Sequence, residues 1–160
     1  MGLDPQSIGD PDLRRLYAYW AELRGDRRWP ARKDVDPAEI KALLPYIMLV
    51  DVQRDPLDFR VRLTGTEIVS RFGEELTGRR LGDIDMDGES ASIVACYADA
   101  VKSGEPRLDE EEFVRNDGRY MHYHRLLLPL SGDGTAVDML LVGHRAIAAD
   151  GHPAADLRRL

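Results

Sequence analysis

The chain has 160 residues, 43% of them hydrophobic and 32% charged, with a formal net charge of -7. That length can bury one full core, and the negative balance argues against a nucleic-acid partner or an anionic membrane surface. A single cysteine, Cys96, excludes an internal disulfide and points to a reducing, cytoplasmic compartment, while no secretory signal and no apolar run of the roughly 20 residues that span a bilayer is seen.

Residues 1–9 are polar and contain Gly and Pro, which predicts a loose leader. Asp10-Pro11 then reads as an N-cap with proline at the first helical position. Leu13, Leu16, Tyr17, Trp20 and Leu23 follow at helical spacing and form one apolar stripe, and Gly25 ends the helix. So short a helix is marginal alone, so the stripe must dock on its own sheet or on a second chain. The basic cluster Arg24, Arg27, Arg28, Arg32 and Lys33 around Trp29 reads as a solvated linker. Asp36-Pro37 repeats the start signal, Ile40, Leu43 and Leu44 line a short second helix, and Pro45 stops it.

Five strands are predicted: Tyr46–Gln53, Asp58–Thr64, Leu108–Arg115, Arg119–Leu130 and Val137–Arg145. Between the second and third lie helical pieces at Thr66–Phe72 and Asp83–Asp87, then a longer helix at Glu89–Ser103 closed by Gly104. Ile47-Met48-Leu49-Val50, Leu126-Leu127-Leu128 and Met139-Leu140-Leu141-Val142 are continuous apolar runs, as expected of strands covered on both faces. Phe59-Arg60-Val61-Arg62-Leu63 alternates and Asp109-Glu110-Glu111-Glu112 is charged, as suits edge strands. An antiparallel sheet in the order 2-1-5-4-3 satisfies both patterns. The fold class is α+β: a leader and helical extension over 1–45, a sheet with helices on one face over 46–147, and a tail over 148–160.

Further cues are Trp20 with Arg24, Trp29-Pro30-Ala31-Arg32, Asp34-Val35-Asp36-Pro37, Leu43-Leu44-Pro45 and Asp51-Val52. They continue with Leu63-Thr64-Gly65-Thr66-Glu67, Leu76-Thr77-Gly78 and Leu128-Pro129-Leu130-Ser131. In this order, spanning roughly residues 13 to 145, the chain resembles the PAS domain superfamily, and within it a small family of stand-alone bacterial PAS proteins. The resemblance implies a non-catalytic sensory or interaction module, commonly a homodimer, that signals through a partner chain.

An apolar pocket for a small ligand is expected between helices and sheet. Its candidate residues are Ile68, Phe72, Val94, Tyr97 and Val101 from the helices and Leu127 and Leu140 from the sheet. The Tyr97 hydroxyl is a candidate polar group, and plain core packing is the competing use of all seven. Flavin-binding light sensors of this superfamily attach the cofactor through a cysteine motif that does not surround Cys96. Haem-binding relatives commonly place a histidine on the long helix, and Glu89–Ser103 has none. Both cofactors are therefore disfavoured.

The rival reading is a metal-binding protein or small enzyme. His122 and His124 are two apart on one strand and share a face, so with a carboxylate from Glu110–Glu112 they could bind a metal. A two-residue turn at Asp117-Gly118 sets Glu111 opposite His124, and a three-residue turn at Asn116-Asp117-Gly118 sets Glu110 opposite His124 and Glu112 opposite His122. A cross-strand charge pair is favoured over a metal site. His144 and His152 are isolated and suggest no role, and no residue has a recognisable nucleophile setting.

Overall fold

The computed structural model describes residues 2–148. Its five strands are β1 (Ile47–Gln53), β2 (Asp58–Thr64), β3 (Arg107–Val114), β4 (Tyr120–Leu130) and β5 (Met139–Ala146). They form one antiparallel sheet in the order β2-β1-β5-β4-β3. The apolar strands are central and the alternating and charged strands are the edges, as the polarity pattern requires. The bounds of β1, β3, β4 and β5 shift by one or two residues from expectation, and those of β2 are as expected.

Side-chain parity divides the sheet into two faces. Ile47, Leu126 and Gly143 are register partners and share one face. Met48, Leu127 and Val142 share the other. Helix α1 (Pro11–Arg24) lies on the first face, across β5 and β4. Gly143 is required there: a Cβ on it would sit 2.7 and 2.8 Å from methyl groups of Leu13 and Leu16. The Trp20 indole nitrogen donates to the Pro129 carbonyl at 2.8 Å. Asp10 accepts from the Asp12 and Leu13 amides at 2.8 and 3.0 Å, and its other oxygen meets Arg145 Nε at 3.2 Å. The cap thus ties the start of α1 to β5. Leu13, Leu16 and Trp20 are buried, whereas Tyr17 and Leu23 are only partly so. Of the two docking partners open from the sequence, the stripe takes its own sheet.

Helices α2 (Thr66–Phe72) and α3 (Ser90–Ser103) lie on the opposite face. Tyr97 of α3 packs against Phe59 of β2, ring centroids 5.6 Å apart. Gly65 begins α2 where a Cβ would collide with the carbonyl oxygens of Leu44 and Pro45, so only glycine admits this crossing.

Four expectations are corrected. The leader is not loose: Asp4 caps a 3-10 turn at Pro5–Ser7, Ile8 is fully buried, and Arg14 holds the Ile8 carbonyl with two hydrogen bonds of 3.0 and 2.7 Å. A lone apolar residue in polar sequence carries no periodic signal, so this anchor is not legible. The second helix is a 3-10 segment, Pro37–Tyr46, kinked at Ile40 and running through Pro45 into β1. The predicted helix at Asp83–Asp87 is absent. A 3-10 turn at Leu81–Asp83 stands just before it, and Asp87 and Gly88 have φ of 50 and 79°, which no helix accommodates. The basic linker is only partly solvated: Arg27, Arg28, Arg32 and Lys33 are exposed as expected, but Trp29 is buried. The Trp29 indole donates to the Gly104 carbonyl at 2.9 Å, and Arg28 stacks on it at 4.4 Å while donating to the Ser103 carbonyl at 3.0 Å. These bonds satisfy carbonyls left open at the end of α3.

The hairpin register is the three-residue one: Glu110 faces His124 and Glu112 faces His122. Among the described residues, no helix is long and apolar enough to cross a membrane. The predicted tail, apart from Ala148, and His152 lie outside the described residues.

Candidate functional site

Two small cavities lie between the inner sheet face and the helices α2 and α3. Each measures about 10 Å³, close to what one water molecule needs. The inner cavity is walled by buried side chains, among them Ile93, Tyr97, Arg125 and Met48. The outer cavity lies against α2, lined among others by Glu67, Ile68, Arg71 and Ala146, and is no more open than the inner one. Phe72, Tyr123 and His144 line both and form the wall between them.

The lining follows from strand parity. Tyr123 and Arg125 share the inward parity of Leu127 on β4, and His144 continues the inward set of Leu140 and Val142 on β5. The Tyr123 and His144 rings stack at 4.6 Å and 26°. Phe113 meets the edge of Tyr123 at 6.1 Å, and Phe72 lies 6.5 Å from it on the helix side.

The polar groups here have few partners. Arg125 is fully buried, and its Nη2 reaches Asp109 at 3.2 Å and Glu111 at 3.3 Å. Its guanidinium lies 5.1 Å from the Tyr97 ring centre. The two carboxylates balance its charge, but Arg125 Nε has no hydrogen-bond partner. The Tyr97 hydroxyl and His144 Nε2 are also buried and unpartnered. An unpaired buried polar atom costs about 1–3 kcal/mol, and all three stand in residues that line the inner cavity.

The same burial sets the ionisation states. Burial pushes the Tyr97 hydroxyl up to about 12 and raises Tyr123 as well. Burial, reinforced by Arg125, pulls His144 down to about 3. At neutral pH the site therefore holds a neutral imidazole, two neutral phenols and one balanced guanidinium. It can hydrogen-bond an uncharged ligand in an otherwise apolar and aromatic setting.

Of the residues expected from the sequence, Phe72 lines both cavities, Ile68 the outer and Tyr97 the inner. Val94 is half-buried beside Gly82, while Val101, Leu127 and Leu140 are buried in the core, and none of these four lines either cavity. Arg125, Tyr123 and His144 were not expected. Their inward parity with Leu127, Leu140 and Val142 is the signal that could have found them.

His122 and His124 sit on the α1 side of the sheet, in parity with Leu126 and away from both cavities. His122 Nε2 lies 2.8 Å from Glu110, and the Tyr120 hydroxyl donates to Glu112 at 2.6 Å. Among the described residues, no group of three or more His, Cys, Asp or Glu side chains is placed to hold a metal ion. Cys96 is half-buried and accepts from Arg107 Nη2 at 3.6 Å. Burial, and after it Asp109, raises its thiol, which makes it a poor nucleophile.

A family model described as PAS domain matches residues 9–143. Among solved structures, the LOV protein of Rhodobacter sphaeroides superposes with a TM-score of 0.54 at 19% identity, over 73% of this chain and 71% of that one. The PAS domain of a Colwellia psychrerythraea protein gives 0.53 at 14% identity, over 70% and 98%. A light-oxygen-voltage domain studied with a flavin analogue gives 0.54 at 19%, over 72% and 88%. These likenesses show the fold. No curated protein matches the sequence.

Proposed function

The chain belongs to the PAS domain family, and on that premise we propose that it is a non-catalytic sensory module whose inner cavity binds a small ligand and whose state is read by a partner chain. The observation that carries this reading is the set of unpartnered polar atoms around the inner cavity: Tyr97 Oη, Arg125 Nε and His144 Nε2. A core built only for stability gains nothing from them, since an apolar replacement of similar shape would avoid the cost. A ligand with one hydrogen-bonding group would satisfy them.

Covalent flavin does not fit the residues present. No cysteine lines either cavity, and Cys96 is engaged with Arg107. The cavities, at about 10 Å³ each, are also far smaller than a flavin ring. The ligand is therefore a compact molecule.

Two contacts favour transmission from the pocket. Tyr97 sits on α3, and the end of α3 is held by Arg28 and Trp29 from the segment that follows α1. A ligand that shifts α3 would strain this latch and move the outer surface of α1, where Tyr17 and Leu23 remain only partly buried. That surface is the homodimer or partner contact in this reading.

Native mass spectrometry of the purified protein tests the proposal. A retained small molecule, lost in Ile93→Trp while the fold persists, supports it. Protein that carries no ligand and binds none from a library of small molecules contradicts it.

A further inference from the structure

We propose that the free edge of β3 takes up an extended segment of a partner chain as a further strand, and that this segment carries Lys or Arg at two alternate positions flanked by apolar residues. The surface lies at the sheet edge and is independent of the two cavities.

The two edges of the sheet are unlike. The outer edge of β2 is already occupied: Val61 donates to the Arg79 carbonyl at 2.9 Å and accepts from the Gly78 amide at 2.7 Å, and Arg60 bridges to Arg80. β3 pairs with β4, and among the described residues no backbone pairs with its other side.

The phase of the ladder tells which groups are free. The Arg115 amide donates to the Arg119 carbonyl at 2.9 Å, which makes these two a hydrogen-bonded pair. Bonded and non-bonded pairs alternate along an antiparallel ladder. Val114, Glu112, Glu110 and Leu108 therefore turn their N–H and C=O outward. In agreement, the carbonyl of His122, the register partner of Glu112, is taken from the β5 side by the Ile147 amide at 2.8 Å. The side chains of all four share the α1 face of the sheet. Unpaired strand backbone of this kind is a template for strand addition.

Charge selects what can be added. Four acidic residues run from Asp109 to Glu112. The two inward ones are balanced: Asp109 accepts from Arg107 Nε at 2.8 and 3.0 Å and from Arg125 at 3.2 Å, and Glu111 accepts from Arg125 at 3.3 Å. The other two meet His122 at 2.8 Å and the Tyr120 hydroxyl at 2.6 Å, and among the described residues no arginine or lysine pairs with either. A second copy that pairs its own β3 here sets carboxylate against carboxylate, which destabilises. A strand with Lys or Arg opposite Glu110 and Glu112 gains two cross-strand ion pairs instead. Val114 and its register partner Tyr120, 47% and 59% exposed, offer apolar surface at one end of this row, and part-buried Leu108 offers it at the other. The segment that fits therefore alternates as apolar-x-basic-x-basic-x-apolar.

The probe is the peptide Val-Thr-Lys-Thr-Lys-Thr-Val, blocked at both ends and titrated by NMR into the full chain. The expected result is shifted amide signals and slowed hydrogen exchange at Glu110 and Glu112. Binding should be lost when the two lysine amides are N-methylated and kept when the two threonine amides between and after them are, because the lysine amides face β3. In Glu110→Lys/Glu112→Lys, folded by circular dichroism, binding should weaken about tenfold or more, and a peptide with Glu in place of both Lys should now bind. Equal binding of the peptide N-methylated at lysine leaves charge attraction alone and overturns strand addition. Equal binding of the Lys and Glu peptides to the parent chain overturns the basic partner. No slowing of exchange at Glu110 and Glu112 with any peptide, or full protection of both before peptide is added, overturns the proposal outright.

Discussion

Tyr123 and His144, on neighbouring strands, stack at 4.6 Å with their planes 26° apart, and the pair stands in the wall between two cavities. The imidazole keeps one buried nitrogen without a partner. Burial and the nearby Arg125 hold His144 neutral, with a pKa of about 3.

That depressed pKa has a sign for stability. Unfolded histidine titrates near about 6.5, so between that pH and about 3 the unfolded state binds a proton that the folded state refuses. Stability contributed by neutral His144 is therefore full above the unfolded pKa and falls as pH drops, by about 1.4 kcal/mol per pH unit inside the window. His144→Phe should flatten the denaturant-midpoint profile between about pH 6 and 4 relative to the parent protein. An unchanged slope would show that the imidazole is solvated.

Gly143→Ala places a methyl group where Leu13 and Leu16 now sit. Both leucines are buried, so the overpacking should cost about 1–3 kcal/mol. In Gly143→Ala/Leu13→Ala the two losses should fall short of their sum, because the second change makes room for the first. Additive losses by thermal denaturation would place α1 elsewhere than on its own sheet.

Trp20→Phe keeps a ring in the same site but removes the donor to Pro129. Leaving that carbonyl unpaired should cost about 1–3 kcal/mol. Trp20→Asp should cost more and detach α1, which light scattering would register as a changed oligomeric state if α1 carries the homodimer contact. Unchanged stability in both variants would deny α1 its role as cover.

Asp10→Ala removes the N-cap of α1 and a partner of Arg145 at once. The cap alone is worth about 0.5–2 kcal/mol. Asp10→Asn, which caps nearly as well, should recover the cap and leave only the loss of the ion pair. Equal melting temperatures for the two variants would mean that the charge pair, not the cap, anchors the helix.

Sheet order was legible because charge and alternation on β2 and β3 have one physical use, at an edge, and the apolar runs of β1, β4 and β5 have another. The α1 stripe and the inward placement of Phe72 and Tyr97 were legible from helical period. The hairpin register was not, since Asn116-Asp117-Gly118 suits turns of two or three residues and only the assembled ladder chooses. Ile8 was missed because one buried residue has no period. Arg125 and His144 were missed for a different reason. A charged or titratable residue is read as outward by default, yet each continues the inward parity of an apolar strand. Such local conflict with pattern is where a functional site is expected.

The most direct test is a high-resolution crystal structure of protein purified without ligand exchange. The account predicts non-protein density in the inner cavity, larger than one water and within hydrogen-bond distance of Tyr97 Oη or His144 Nε2. Density absent, with both atoms bonded to protein groups and α3 packed directly on the sheet, would contradict it.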